Sequence, residues 1–448
     1  MGPEDATDQA VLLSERAQPE PGAWGYLRLV LLGALIGIPA ALLASVFLAL
    51  VHDVEHWLWH DLPHHLDESS PPWYLVIGLP LAGASLVVIA RRFLPGDGGH
   101  SPLHGFAGKP PLISYAPGIA LAAIGTLSFG AVLGPEGPLI ALGAIVGILI
   151  TRLARLGAQE SAVLGNAGSF AAISALFGGP IVGGVLMMEG AIGFGASTIS
   201  ILLPGFVASA VGYLVFVGFG RWGGLDAQAI SFTGLPEYTG VHVGDLCLAI
   251  VVGLLTALVV VVVRRFGFSV ADGEKRIGMP LLLILGGLAV GLLAQTASWL
   301  GADAENVLFS GQAAVPAVVA EDSAKIVLIL LVAKALAYGV CLGCGFRGGP
   351  VFPAIFLGVA LATFPVIWFD VSPTMAVAVG TAAGMTAVTR MLLTPILFSA
   401  LLVGPTGLDA VPDAVVAAAT AWLVIAALER RRKAQDADVA EPVPATAG

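Results

Sequence analysis

Charge is what this chain has least of: 11% of its 448 residues are Asp, Glu, Lys or Arg, against 57% hydrophobic. A soluble fold of that length, two or three domains by size alone, needs far more charge to cover its surface. The mean hydropathy of +0.93 instead describes an integral membrane protein that crosses the bilayer many times. Cysteine is nearly absent. Cys247, Cys341 and Cys344 sit in apolar surroundings and cannot make a disulfide framework. Cys341 and Cys344 form a C-x-x-C with no second pair and no nearby His, so we read small residues at a helix end rather than a zinc or redox centre. Basic residues are few as well, 20 against 30 acidic ones, for a net charge of -10. They cluster only beside apolar runs, which excludes nucleic-acid binding. The acidic excess does not call for a basic partner, because many acids lie in the N-terminal tail (Glu4, Asp5, Asp8, Glu15, Glu20) and in the His-rich loop after the first apolar run.

Glycine and proline are plentiful, at 58 and 29. Membrane helices use small residues for close approach, and tolerate breaks only where the broken backbone lines a protein cavity. That combination points to a transporter or channel before a receptor.

Residues 1–24 are acidic, contain Pro and lack the basic start and apolar core of a signal peptide, so a disordered cytoplasmic tail is expected. Apolar runs follow at about 26–51 and 73–90. The first exits through His52, His56 and His60, with His64 and His65 beyond. The spacing stacks the first three on one helix face, as a metal or pH sensor or as an interfacial stretch with Trp57 and Trp59 at the headgroups. Shorter runs at about 113–133, 138–151, 159–177 and 180–191 are cut by Gly-Pro pairs. Several are below the ~20 residues of a full span, which predicts broken or tilted helices. A run at 198–217 closes a first membrane repeat over 25–217, and a polar loop occupies 218–240. The second repeat, 241–428, has runs at about 243–263, 279–300, 326–342, 351–364, 375–389, 394–404 and 413–428. The basic run from Arg430 to Lys433 then stops transfer. With Arg91, Arg92, Arg152, Arg155 and the 264–276 cluster, it places both termini in the cytoplasm by the positive-inside rule. Residues 434–448 read as disordered, with no soluble regulatory domain expected after the last span.

An internal repeat organises the whole. Gly130, Gly134, Pro135, Pro138 and Gly143 recur at a constant offset of 215 residues as Gly345, Gly349, Pro350, Pro353 and Gly358. The register continues without a gap from Gly165, Ala167, Ala172, Pro180 and Ile181 to Gly380, Ala382, Ala387, Pro395 and Ile396. Two copies of one architecture are implied. An odd number of spans in each would invert one against the other and set their broken helix ends face to face.

The ends in question are Gly134-Pro135-Glu136-Gly137-Pro138 and Gly349-Pro350-Val351-Phe352-Pro353. An ion entering the bilayer loses hydration worth about 20 kcal/mol in the Born limit, so a pore must supply replacement dipoles. Helix N-termini offer unpaired N–H groups and roughly half a positive charge, without a full cation that would hold an anion too tightly. Proline cannot donate, which leaves Glu136 and Gly137 in one loop and Val351 and Phe352 in the other, with Gly134 and Gly349 beside them. Glu136 competes with an anion for those donors: ionised it occupies the site, protonated it leaves, and the alternative is a simple helix cap. Glu189 is a second acid within a broken helix, on a proton path or in a structural pair with an Arg. Arg347 either raises anion occupancy or snorkels to the interface.

These residues resemble the CLC family of chloride channels and proton/chloride antiporters over about residues 26–428. Gly134 to Pro138 is similar to the family's G-[KR]-E-G-P loop, Ser169 to Glu189 to its segment ending G-x-x-F-x-x-E, and Gly343 to Gly358 to its G-x-[GF]-x-P region. The resemblance implies an all-α CLC-type fold of two inverted-topology repeats, Glu136 as external gating glutamate, bound chloride ions without a further cofactor, and a homodimer with one pore per subunit. Several positions depart from the pattern. Gly99 stands where the first anion loop has its serine, with Ser101 or His100 as substitutes. Pro135 replaces a basic residue, Pro350 removes a donor, and no tyrosine matches the one that closes the inner side. Gly190 falls where the antiporters carry their internal proton-transfer glutamate.

The resulting reading is transport of chloride or another small anion across the cell (plasma) membrane through a pore gated by Glu136, passive and channel-like because of Gly190. The alternative is a proton-coupled chloride antiporter. A non-transport alternative is a pH or metal sensor on His52, His56 and His60. An intramembrane enzyme would need a paired Ser/Lys, Ser/His or two-Asp constellation, and none is present.

Overall fold

In the computed structural model the described residues are 22–105, 111–191, 198–218, 223, 232 and 234–440. They form helices joined by short turns. The first half contains α1 (Ala23–His56), α2 (Trp73–Phe93), α3 (Ala116–Leu127), α4 (Glu136–Leu153), α5 (Ala158–Leu176), α6 (Pro180–Ala191) and α7 (Thr198–Val217). The second contains α8 (Val243–Ala271), α9 (Met279–Trp299), α10 (Ala324–Cys344), α11 (Val351–Phe369), α12 (Pro373–Thr389), α13 (Leu393–Val403) and α14 (Val411–Ala440). Each follows an apolar run of the sequence. The breaks come where Gly and Pro deny the chain a further helical turn: Pro135 and Pro350 are the N-caps of α4 and α11, and α12 opens on Pro373 behind a Ser372 side chain that accepts from Thr374 N.

Packing repeats with the sequence. In the first half α1, α5 and α7 pack on one another; in the second α8, α12 and α14 do the same. The antiparallel pairs α4–α5 and α11–α12 are built on small residues, since a Cβ on Gly143 would lie 2.5 Å from Gly168 O and one on Gly358 2.1 Å from Gly380 O. Across the halves, α2 packs on α9 and α6 on α13, each helix against its own counterpart. That pattern is the signature of a two-fold relation between inverted repeats of an all-α membrane fold.

Among the described residues eight helices are long and apolar enough to cross a membrane, and four shorter apolar ones accompany them. The surface they present is apolar: Leu31, Leu35 and Val46 of α1 are 58%, 64% and 64% exposed, and Val262 of α8 is 64% exposed. Water does not favour such a belt, and lipid does. The basic residues gather at one end. Gly25 and Arg28 share a cavity wall with Leu156 and Gln159, Arg91 lies 3.9 Å from Glu274, and Arg390 pairs with Glu429. The His-rich stretch begins in the last turns of α1 and continues past its far end; α1 has 34 residues and so is ~51 Å long.

One expectation differs at the C-terminal end, and one at the N-terminus falls largely outside the described residues. The last helix does not stop at 428 but runs through the basic cluster to Ala440, because Arg430, Arg431, Arg432, Lys433 and the Ala-rich segment after them are good helix formers. The tail reading for 1–24 falls largely outside the described residues, with α1 already begun at Ala23; most of 218–240 and all of 441–448 also lie outside them.

Candidate functional site

The two loops that sequence alone singles out meet. Gly130 and Gly345, equivalent at the repeat offset, both turn the chain with φ near +90°, at +89° and +93°, a region open to Gly at no steric cost. Each turn then leads into its donor loop. Gly134 N donates to Gly349 O at 2.7 Å and Gly349 N to Gly134 O at 2.5 Å. The pair is an isolated antiparallel bridge between equivalent residues, so the two-fold relation passes through it. This corrects one assignment. The N–H groups of Gly134 and Gly349 are spent on each other and are not available to an anion.

The donors that remain belong to α11 and α4. Glu136, in the first turn of α4, reaches across the bridge to the N-terminus of α11, where Phe352 N donates to its Oε1 at 3.1 Å. The N–H groups of Val351 and of Glu136 itself also face the carboxyl group. Glu136 is 0% exposed, and its Oε2 has no hydrogen-bond partner among the described residues. A Cβ on Gly349 would lie 1.6 Å from that oxygen, and one on Gly134 2.3 Å. The carboxyl group therefore fills a slot that only two glycines leave open, on the donors expected to receive an anion. Gly137 packs under Gly348, with a Cβ position 3.0 Å from its carbonyl oxygen, and Val351 is buried at the start of α11.

Three aromatic rings support this N-terminus. Phe352 stacks on Phe177 at 5.7 Å and 15°, and Phe398 meets both edge-on at 4.8 and 6.1 Å. Tyr338 Oη donates to Pro350 O at 2.8 Å and fixes the cap residue from α10. Arg347, just before the loop, is 5% exposed. It neither snorkels nor stands as a free cation. Its Nε donates to Asp97 O at 2.9 Å and its Nη2 binds the Asp97 carboxylate, which also takes Arg91 Nε at 2.8 Å. Two guanidinium groups thus share one carboxylate, and this clasp ties the Gly98–Gly99 turn to the second donor loop. Gly99, at φ +101°, donates its N–H to Gly96 O at 2.9 Å, so that donor is also spent. Ser101 is half-buried at the start of a 3-10 turn. His100 Nε2 lies 3.1 Å from Gly105 O, and burial is the largest influence on its imidazole, pulling the pKa below the usual histidine value.

Among the described residues Glu189 has no Arg partner, and its carboxylate is taken up by donors of the other repeat. From the end of α6 it accepts from Leu392 N at 3.0 Å, Leu393 N at 2.9 Å, Thr394 N at 2.7 Å and Thr394 Oγ1 at 2.5 Å. A carboxylate with four donors is a helix cap, here for α13 and supplied by the other repeat. Glu189→Ala is expected to cost about 2 kcal/mol of stability, read as a lowered unfolding midpoint of the purified protein in detergent with anion flux retained. A proton-carrying role would instead leave the midpoint unchanged and abolish proton movement.

His52, His56 and His60 do line one face, with ring centroids 6.3 and 5.0 Å apart in succession. They are exposed, and among the described residues no three His, Cys, Asp or Glu groups are placed to hold a metal ion. One buried ionisable residue outside the donor loops was passed over by sequence reasoning. Lys334 is 0% exposed and donates to Asn306 O, Val307 O and Leu308 O at 3.0, 3.1 and 2.7 Å. Its signal was present, as an ionisable residue inside an apolar run is a candidate by default.

Comparison with known proteins agrees with this geometry. The family model for voltage gated chloride channels matches residues 100–425. YfeO of Escherichia coli strain SMS-3-5, provisionally named as an ion-transport protein, is 30% identical over 354 residues, 76% of this chain and 79% of its own length. Among solved structures, a slow cyanobacterial Cl-/H+ antiporter superposes with a TM-score of 0.72 at 18% identity, covering 94% of this chain and 100% of its own. A CLC-type fluoride/proton antiporter does so with 0.69 at 20% identity, covering 90% and 97%. With the helix order, the reciprocal bridge and the glutamate laid over the α11 donors, the match identifies the chain as a member of the voltage gated chloride channel (CLC) family of anion-transport proteins.

Proposed function

We propose that this protein moves chloride or a similar small anion across the cell membrane along the N-termini of α4 and α11, with Glu136 as the gate. The observation that carries the reading is the position of the Glu136 carboxyl group on Phe352 N. It is an acceptor of like charge on an anion's donors, so anion and carboxylate occupy that position in turn. Backbone dipoles suit such exchange, because they attract an anion without the deep well of a full cation. The basic end, with Arg28, Arg91, Arg92, Arg152 and the 264–276 cluster, faces the cytoplasm by the positive-inside rule, and the His-rich end faces out. Two chains form the working unit, each with its own pore.

Passive, channel-like conduction is our first reading. Glu189 is held by four donors, and Gly190 beside it carries no titratable group, so α6 offers no free proton carrier. Proton-coupled antiport is the second reading. Its support is the buried, unpartnered Oε2 of Glu136, which suits a group that carries a proton, together with two solved structures of this fold that are described as antiporters.

One experiment separates these readings: chloride and proton fluxes recorded together in liposomes, wild type beside Glu136→Gln. Chloride flux without protons, altered at least tenfold by the substitution, is the expected result. Uphill proton movement driven by a chloride gradient and lost in the variant establishes antiport. Anion flux absent from the wild type removes the transport reading.

A further inference from the structure

At the end of the fold opposite the basic residues, residues 234–240 form a strap over the first turns of α8 and α14. Tyr238 N donates to Thr406 O at 3.1 Å, Gly240 N to Asp409 Oδ2 at 3.3 Å, and Thr374 Oγ1 to Pro236 O at 2.5 Å. Beneath the strap, acidic groups meet. Tyr238 Oη lies 2.7 Å from Asp245 Oδ2 and 3.1 Å from Asp413 Oδ2. Asp245 Oδ2 also faces His242 N and Nδ1, each at 3.3 Å. Asp413 is 0% exposed, and its Oδ1 has no hydrogen-bond partner among the described residues.

The proton count does not close with both carboxylates ionised. The phenol has one proton, and at 2.7 Å it belongs to Asp245. Asp413 Oδ2 then faces a lone pair of the Tyr238 oxygen, and its Oδ1 faces nothing. A buried carboxylate without a single donor is among the costliest arrangements a protein can hold. Giving the phenolic proton to Asp413 instead leaves Oδ1 bare and turns the two charges on each other. The phenol itself does not ionise to relieve this, since burial first, and then its bonds and proximity to Asp245 and Asp413, push its pKa far above the ordinary tyrosine value. One further proton resolves the geometry.

We propose that His242, Asp245, Tyr238 and Asp413 form a second proton-binding site, separate from Glu136, in which Asp413 donates to the Tyr238 oxygen while the phenol donates to Asp245. His242, Asp245 and Tyr238 are the titratable groups that face Asp413 from the elements around it, and Asp409 on the neighbouring turn is engaged with Gly240 N. The bound proton holds the strap onto α8 and α14. Its loss as pH rises sets two carboxylates against one hydroxyl and loosens the strap. The unfolded chain gives up this proton in more acidic solution than the fold does, so over the range between them the folded state binds one more, and stability falls as pH rises.

The test uses the full chain carrying Glu136→Gln, so that the gate's own carboxyl group does not contribute. Infrared spectra in lipid nanodiscs are expected to show, in mildly acidic solution, a component of the protonated carboxyl band that Asp413→Asn removes. The asparagine amide replaces the bound proton as donor to Tyr238, so this variant is also expected to keep its unfolding midpoint as pH rises, whereas its parent loses several degrees. Absence of the band in the parent overturns the site, as does a midpoint lowered equally at every pH by Asp413→Asn. If Asp413→Asn does not fold, Tyr238→Phe decides: removal of the acceptor is expected to shift the band, and an unshifted band overturns the proposal.

Discussion

Gly349→Ala is expected to open the gate without touching the gating residue. The added methyl group would sit 1.6 Å from Glu136 Oε2 and 2.5 Å from its carboxyl carbon, closer than any contact allows. Of the groups involved, the end of the Glu136 side chain moves most readily, its Cβ at 2.9 Å from the methyl position shifts slightly with it, and the bridge from Gly134 to Gly349 is backbone held by two hydrogen bonds. Gly349 is outside the left-handed region that penalises alanine, so the backbone itself tolerates the change. The carboxyl group then gives up Phe352 N, a hydrogen bond worth about 1.5 to 3 kcal/mol when an ionised acceptor is involved. Occupancy of the blocked state falls roughly ten- to hundredfold, and chloride efflux from liposomes rises by about the same factor where gate opening limits the rate. A double-mutant comparison tests the route. If Gly349→Ala acts by displacing Glu136, adding it to Glu136→Gly changes nothing further. A flux loss of equal size in both backgrounds would instead show that the methyl group obstructs the anion path.

Much of the fold was legible because the membrane simplifies the code. Apolar runs must be helices when no water can satisfy a bare backbone, and all fourteen runs in the sequence correspond to the helices found. The repeat register was legible as well, since the Gly and Pro that set it are required by backbone geometry rather than by side-chain packing. Gly134 and Gly349, matched at an offset of 215 residues, turn out to be bonded to each other. What could not be read was which donors are left over. A hydrogen bond between residues more than 200 positions apart leaves no local trace, and so the spent N–H groups of Gly134 and Gly349, the Asp97 clasp on Arg347 and the α13 cap at Glu189 came only with the fold. The same holds for Tyr238 and Asp413, 175 positions apart, which look like an unremarkable loop residue and a first-turn acid. Lys334 is a different case. Its chemistry was visible, but only its three partners reveal that it is a structural cation.

Lys334→Met is expected to be among the most destabilising single changes in the protein, although it replaces the side chain with one of similar length and apolar character. The Lys334 ammonium group has three protons, and three carbonyl groups accept them at 2.7 to 3.1 Å. The same charge lies 4.6 Å from the centre of the Phe356 ring. These carbonyls end the short helix Ala304–Val307, where no further helical turn can supply N–H donors. Methionine leaves all three without a partner in the interior, and the loss of one member of a buried charged cluster costs about 3 to 5 kcal/mol. The consequence reaches the gate. The segment Lys334 holds continues to Phe309, whose N–H donates to Gly130 O at 3.3 Å and whose ring packs against Trp59 at 5.2 Å, while Trp59 Nε1 binds Ser128 O at 3.0 Å. Residues 128–134 form the approach to Glu136, so Lys334 positions the first donor loop through this chain of contacts. Loss of folded protein after mild heating, measured by size-exclusion chromatography in detergent, is therefore the expected result. A variant with wild-type thermal behaviour but altered anion flux would overturn that account and give Lys334 an electrostatic role along the anion path.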